Sequence, residues 1–159
     1  MKSGMAGMTK IENHQADFWK TKSLSEMTGE EWELLCDHCG RCCLHKLEDE
    51  DSGEIFFTSV ACKVYDLEHG QCSNYAHRKR VVPECVVLTA QNVIEMPSLP
   101  LSCAYRLLAE GKKLPTWHHL ESGERHSVVR AGMSITLFAL SENAVDMQSL
   151  EDCILDSRI

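Results

Sequence analysis

Four cysteines fall within eight residues, in the run Cys36-Asp37-His38-Cys39-Gly40-Arg41-Cys42-Cys43. Two thiols separated by two residues can close a small chelate ring around one ion. The turn between them points both sulfurs inward and lets backbone N–H groups hydrogen-bond the thiolates. A third cysteine at the same interval extends the loop. Three thiolates on one turn with a distant fourth is the spacing logic of a [4Fe–4S] ligand set, whereas zinc folds more often join two separate Cys-x2-Cys hairpins. With one such turn here, spacing leans toward iron. Cys43 resists a single-site account, because side chains of adjacent residues diverge in helix and in strand. Cys62, Cys72, Cys85 and Cys103 come at intervals of 19, 10, 13 and 18 residues and bring the set to eight. Eight thiols divide into two four-ligand sites, or into one site with structural thiols left over, and spacing leaves both open. An isolated cysteine is by default a small core residue. The local cluster makes the four singletons candidate ligands, whereas Cys153, at helical spacing from Leu150, reads as core.

The chemistry open to nine thiols in 159 residues depends on the redox compartment. The N-terminal stretch is polar, with Lys10, Glu12, His14 and Asp17 and no apolar core of signal-peptide length, so a cytoplasmic location is expected. There, stable disulfides are rare and an odd, dense cysteine set reads as metal-binding or catalytic. No apolar run reaches the roughly 18 residues of a membrane helix, so no membrane span is expected. The net charge of −8 argues against a broad nucleic-acid footprint. His38 and His45 flank the thiols and are second-rank ligand candidates. His118-His119 reads as a polar loop beneath Trp117, and His77–Arg80 as a solvated basic run. The acidic run Glu48–Asp51 lacks the glycine and glutamate positions of a calcium loop, and no phosphate-binding, dinucleotide or nucleophile-elbow motif is present.

The elements that would position these residues are short. Residues 1–16 show no periodicity and read as a flexible tail, leaving 17–159 as one cysteine-rich domain. Ser23 with Glu26 and Thr28 with Glu31 have capping-box spacing. The second box starts a helix that buries Trp32 and Leu35 and delivers Cys36 at its end, with Gly40 supplying a positive φ. Glu48 to Gly53 reads as a solvated turn before a strand Ile55–Val60. A further strand Ala61–Leu67 turns at Glu68-His69-Gly70 into Gln71–Tyr75, a hairpin that could bring Cys62 opposite Cys72. Thr89 can cap a short helix ending before Pro97. Ser102 can cap another over Cys103–Glu110, closed by Gly111. A weak strand near Ser134–Leu140 and a terminal helix within Ala144–Leu155, with Val145, Leu150 and Ile154 as core contacts, complete the reading. The expected fold is a small α+β domain with short helices, a β-hairpin and irregular loops organised around a cysteine-rich metal site.

The string from Cys36 to Leu47 resembles the signature of the bacterial YcgN-like (YkgJ-like) family within the wider CxxCxxCC zinc- or iron-chelating domain. So do Ile55-Phe56-Phe57-Thr58-Ser59-Val60-Ala61-Cys62, Cys72-Ser73-Asn74-Tyr75, Cys85, and Cys103 to Gly111. The resemblance covers nearly all of Phe18 to Leu155. His119 departs from it, standing where a Trp-His-Pro-Leu pattern has proline. The resemblance implies a small cytosolic protein chelating zinc or iron, with no established reaction; a metal held as a structural staple would present a surface to an unknown protein partner. Its implied ligands are Cys36, Cys39, Cys42 and Cys43, with Cys62, Cys72, Cys85 and Cys103 as the remaining positions. Two alternatives stand beside metal binding: an iron–sulfur redox protein or enzyme component, and a thiol oxidoreductase using Cys36-x-x-Cys39.

Overall fold

A computed structural model describes residues 16–156 and Ile159; apart from Ala16, the expected N-terminal tail lies outside the described residues. Both capping boxes form. The Ser23 N–H donates to Glu26 Oε2 at 2.8 Å, shaping the 3₁₀ turn Leu24–Glu26 that comes after α1 (Phe18–Thr21). The Glu31 N–H donates to Thr28 Oγ1 at 3.2 Å, and the Thr28 N–H donates to Glu31 Oε2 at 2.9 Å. This second box starts α2 (Gly29–Leu34). Glu31 is buried, and its carboxylate also accepts two 2.8 Å bonds from Lys22 Nζ, which keeps the buried charge paired.

The rest is α+β, as expected. The strands β1 (Leu44–Glu48) and β2 (Ile55–Ala61) pair antiparallel around the acidic turn, with Lys46 opposite Phe57 and Glu48 opposite Ile55. Asp49 Oδ1 accepts the N–H groups of Asp51 and Ser52 and so holds that turn. The pair β3 (Tyr65–Asp66) and β4 (Gln71–Cys72) forms the expected hairpin at Gly70, but Tyr65 rather than Cys62 stands opposite Cys72. Then come α3 (Arg78–Val81), α4 (Ala104–Ala109), α5 (His119–Ser122), α6 (Ser127–Arg130) and β5 (Leu140–Ser141), which lies parallel to β2. Apolar burial falls into two clusters. Phe18, Leu35, Val93, Leu99, Ala104, Tyr105 and Leu114 form the first, which the helices cover. Leu44, Phe57, Ala61, Tyr65 and Ile135 form the second, against the sheet.

Several expectations are corrected. Strand β1 is not anticipated by its own residues, because Leu44-His45-Lys46-Leu47 lacks the two-residue alternation of a strand. The strand expected over Ala61–Leu67 shrinks to Tyr65–Asp66, since the Tyr65 N–H donates to the Cys62 carbonyl at 2.9 Å in a tight turn. Thr89 bonds reciprocally with Asn92, and a 3₁₀ turn, Val93–Glu95, replaces the helix expected after it. Ser102 does not cap α4. Cys103 takes that position with no side-chain cap, and the buried Ser102 hydroxyl has no hydrogen-bond partner among the described residues. Near Ser134–Leu140 the Ser134 hydroxyl accepts the Thr136 N–H and caps a 3₁₀ turn, Ile135–Leu137, leaving only two residues for β5. The terminal helix is a 3₁₀ run, Met147–Cys153, interrupted at Ser149. Val145 and Leu150 are half-buried there. Ile154 is 37% exposed and bridges to Thr58 instead of entering a core.

Candidate metal centre

Helix α2 ends on Leu35, which is fully buried, and the next residue is Cys36. The chain must then reverse within a few residues. Asp37 Oδ1 accepts the Cys39 N–H at 2.9 Å, a local turn that draws Cys36 and Cys39 onto one side. His38 adopts φ 59° and Gly40 φ 76°, and the Cys43 N–H closes a 3₁₀ turn, Arg41–Cys43, onto the Gly40 carbonyl at 2.8 Å. Two bonds fasten the loop to the far end of the chain: the Ile135 N–H to the Cys39 carbonyl at 2.9 Å, and Arg41 Nε to the Met133 carbonyl at 2.8 Å.

Cys36, Cys39, Cys42 and Cys103 line one cavity of about 50 Å³, with Asp37 in its wall. That volume suits a single ion, far below the few hundred Å³ of a typical small-molecule site. Cys103 arrives from the start of α4, about sixty residues along the chain, as the fourth thiol. Asp37 is 7% exposed, and its Oδ2 has no hydrogen-bond partner among the described residues. A buried carboxylate oxygen without a partner, on a residue that lines the same cavity as four cysteines, is left without a positive charge beside it.

Burial raises the Cys36 and Cys39 thiols well above the ordinary thiol range, and neighbouring Asp37 and Cys42 push the same way. Burial also lifts Cys103, to about 11. Cys42 moves in the opposite direction, to about 7, because the Cys43 thiol hydrogen-bonds to it and Lys46 lies nearby. That bond holds Cys43 in its protonated form, far above its ordinary value. A cation in the cavity would remove the penalty on the ionised sulfurs, so its binding would release protons.

Cys43, Cys62, Cys72 and Cys85 form a second neighbourhood, joined to the first where the Cys43 thiol hydrogen-bonds to Cys42. Cys43 and Cys62 pack against the second core cluster, and the Cys62 N–H donates to the Cys43 carbonyl at 2.9 Å. Cys72 stands opposite Tyr65 in the hairpin. Cys85 and Cys72 are close enough that their charge would oppose ionisation of Cys62, whose thiol burial already raises. All nine cysteines are free thiols, with Cys153 apart from both groups in the C-terminal 3₁₀ run. Among the described residues, no three His, Cys, Asp or Glu side chains are already arranged to grip an ion, so binding requires the sulfurs to turn inward.

The histidines resolve differently. His38 is exposed, and His45 Nε2 pairs with Glu142 Oε2. The loop reading of His118 is corrected: it is fully buried, caps α5 through Nδ1 and bonds the Leu35 carbonyl through Nε2 at 3.0 Å. It thus clamps the end of α2 just ahead of Cys36. His77–Arg80 is largely exposed, as expected, with Arg78 stacked on Tyr75. Sequence reasoning misses three contributors. Asp37 carries a signal in its Asp-x-Cys turn pattern. Lys46, whose Nζ donates to the Cys42 and Leu44 carbonyls at 2.8 Å, and Tyr65, whose buried hydroxyl sits against Gly40, carry none.

Residues 35–104 match the CxxCxxCC family model, described as a "Putative zinc- or iron-chelating domain". A UPF0260 protein of Agrobacterium fabrum is 51% identical over 143 residues, covering 90% of this chain and 88% of that protein. The chain belongs to the UPF0260 family. Another UPF0260 protein, from Parvibaculum lavamentivorans, is 52% identical over 138 residues, 87% of this chain and 90% of that one. A third, from Mesorhizobium japonicum, is 54% identical over 121 residues, 76% and 82% of the two chains. No solved structure matches this UPF0260 chain. No helix among its described residues is long and apolar enough to cross a membrane.

Proposed function

We propose that this UPF0260 protein is a cytoplasmic metal-binding protein that holds zinc or iron through thiolates, first among them Cys36, Cys39, Cys42 and Cys103. The observation that carries the reading is the small cavity where three sulfurs of one loop meet a fourth from α4 beside the unpartnered Asp37 Oδ2. The chelating-domain match over residues 35–104 supports it. A bound zinc would act as a structural staple, and an iron–sulfur cluster would add one-electron redox chemistry. The chain's own part is to orient sulfur. Asp37 and Gly40 turn the loop, the Cys39 and Arg41 anchors fix it, and Leu35 with His118 sets where Cys36 emerges.

A [4Fe–4S] centre is the second reading, supported by three thiols at three-residue spacing with one remote cysteine at the same cavity, which would have to widen beyond a single ion's volume to take it. The thiol-oxidoreductase alternative draws no support from Cys36 or Cys39. Burial raises both thiols, whereas a nucleophilic pair needs a lowered one. An unidentified protein partner that reads the metal-set surface belongs to the same proposal.

Elemental analysis, acid-labile sulfide and absorption spectroscopy on anaerobically prepared protein test the proposal. The expected result is stoichiometric metal, colourless if zinc, brown with matching sulfide if iron. Its removal by a chelator should lower the melting temperature and its return should restore it. Folded protein free of both metals after growth with each supplied refutes metal binding, and unchanged melting on chelation refutes the staple.

A further inference from the structure

Cys42 and Cys43 are adjacent and their thiols are hydrogen-bonded, yet each has further neighbours of its own. A 3₁₀ turn advances about 120° per residue, so successive side chains leave it in separate directions. From the turn Arg41–Cys43, Cys42 lines the cavity with Cys36, Cys39 and Cys103, while Cys43 packs into the second core cluster beside Cys62. The first cluster meanwhile receives Cys36 and Cys103. The first apolar core therefore takes Cys36 and Cys103, and the second takes Cys43 and Cys62.

We infer that the chain holds two metal ions in separate four-thiolate sites that meet at the Cys42–Cys43 step, the second made by Cys43, Cys62, Cys72 and Cys85. This rests on the metal-binding reading above and extends it to a site that the cavity does not include. Backbone hydrogen bonds bring the segments that carry three of the four cysteines together. The Cys62 N–H bonds the Cys43 carbonyl at 2.9 Å, the Cys62 carbonyl accepts the Tyr65 N–H at 2.9 Å, and Tyr65 pairs with Cys72 across the hairpin. Cys85 is held by its own N–H on the Val82 carbonyl at 2.9 Å and lies near Cys62 and Lys46. Once their sulfurs turn inward, four cysteines from the turn, the end of β2, the hairpin and the loop after α3 would make a closed tetrahedral set for zinc. Two such sites side by side would each carry surplus negative charge. Lys46 supplies the intervening cation, since it lies near Cys42 of the first site and near Cys43, Cys62 and Cys85 of the second.

The test is metal stoichiometry combined with alkylation mapping of zinc-loaded protein. The wild type should bind two equivalents, with eight cysteines protected and Cys153 alkylated. Cys85→Ser should bind one equivalent and expose Cys43, Cys62 and Cys72 while Cys36, Cys39, Cys42 and Cys103 stay protected. Cys103→Ser should give the converse pattern. Cobalt titration of the wild type needs no variant and should show sulfur-to-cobalt charge-transfer absorption of similar strength in the first and second equivalents. One equivalent in the wild type, with Cys62, Cys72 and Cys85 alkylated, overturns the second site and leaves the first intact. Loss of both equivalents in a folded Cys85→Ser variant overturns separateness. Absence of any bound metal overturns the underlying function instead.

Discussion

Gly40→Ala isolates what the cysteine loop needs from its glycine. The residue sits at φ 76° between Cys39 and Cys42. An added Cβ would lie 2.7 Å from Ile135 Cγ1, 2.5 Å from Tyr65 Cζ and closer still to the Tyr65 hydroxyl. Left-handed backbone costs a non-glycine residue about 1–2 kcal/mol. Crowding a packed core adds about 1–3 kcal/mol, because Tyr65 and Ile135 are buried and have little room to yield. The total is about 2–5 kcal/mol. Gly111→Ala is the matched control: φ is 70° and nothing stands within 4 Å of the new methyl, so only the backbone contribution of about 1–2 kcal/mol applies. Urea denaturation of both variants with metal analysis is the assay, and the Gly40→Ala midpoint should fall on the order of 1 M below wild type. Its metal content should also drop, since the loop must open to admit the methyl, while Gly111→Ala stays loaded. Equal midpoints for the two variants, with full metal in each, would refute the close packing of the loop on Tyr65 and Ile135.

Leu35→Ala removes a fully buried side chain that packs in the first core beside Phe18 and sits one residue ahead of Cys36. A loss of about 2–5 kcal/mol in chemical denaturation is expected, with weakened metal retention, whereas a loss below about 1 kcal/mol would show that α2 does not anchor the loop. Acid should also destabilise the fold. Burial lowers His118, and burial with the neighbouring His118 lowers His119 to about 4, so the unfolded chain takes up protons from about pH 6.5 downward that the folded chain refuses. That contribution is complete above pH 6.5 and is lost as pH falls toward 4, amounting to about 2 kcal/mol at pH 5 for His119. Denaturation at pH 7 and pH 5 checks it, and His119→Gln should flatten the difference; an unchanged slope would remove His119 from the account.

Where local chemistry decides structure, the sequence is legible here. The capping boxes at Ser23 and Thr28, the positive φ of Gly40, the acidic turn after Glu48 and the Gly70 hairpin each depend on a few neighbouring residues. Elements that depend on distant partners are not legible in this way. Strand β1 exists because β2 returns beside it, although Leu44–Glu48 has no strand pattern of its own. Ser134–Leu140 has the apolar content of a strand, but Ser134 caps a turn and Ile135 is its one fully buried apolar residue, tied to the Cys39 carbonyl. The same division applies to the site. Spacing marks the thiols as candidates, yet their sorting depends on which core each segment joins, and no local spacing encodes that.

That sorting also explains why thiol chemistry belongs at this point of the chain. Leu35 closes the first core and Leu44 opens the second, so the cysteine loop is the direct covalent link between them. Its own polar ties to the rest of the described residues are few: the Cys39 carbonyl to Ile135, Arg41 to Met133, the Cys42 carbonyl to Lys46 and the Cys43 carbonyl to Cys62. The elements on either side are five to seven residues long, too short to be stable without tertiary support. Under the two-site assignment, cations would join Cys36, Cys39 and Cys42 to α4 and Cys43 to β2, the hairpin and the segment after α3, drawing each core onto the loop. Losing one ion should then loosen one core before the other. Hydrogen exchange on Cys103→Ser should rise first around Phe18, Leu99 and Tyr105, and on Cys85→Ser first around Phe57 and Ala61. Uniform exchange changes in both variants would mean that the loop couples the cores without any help from metal.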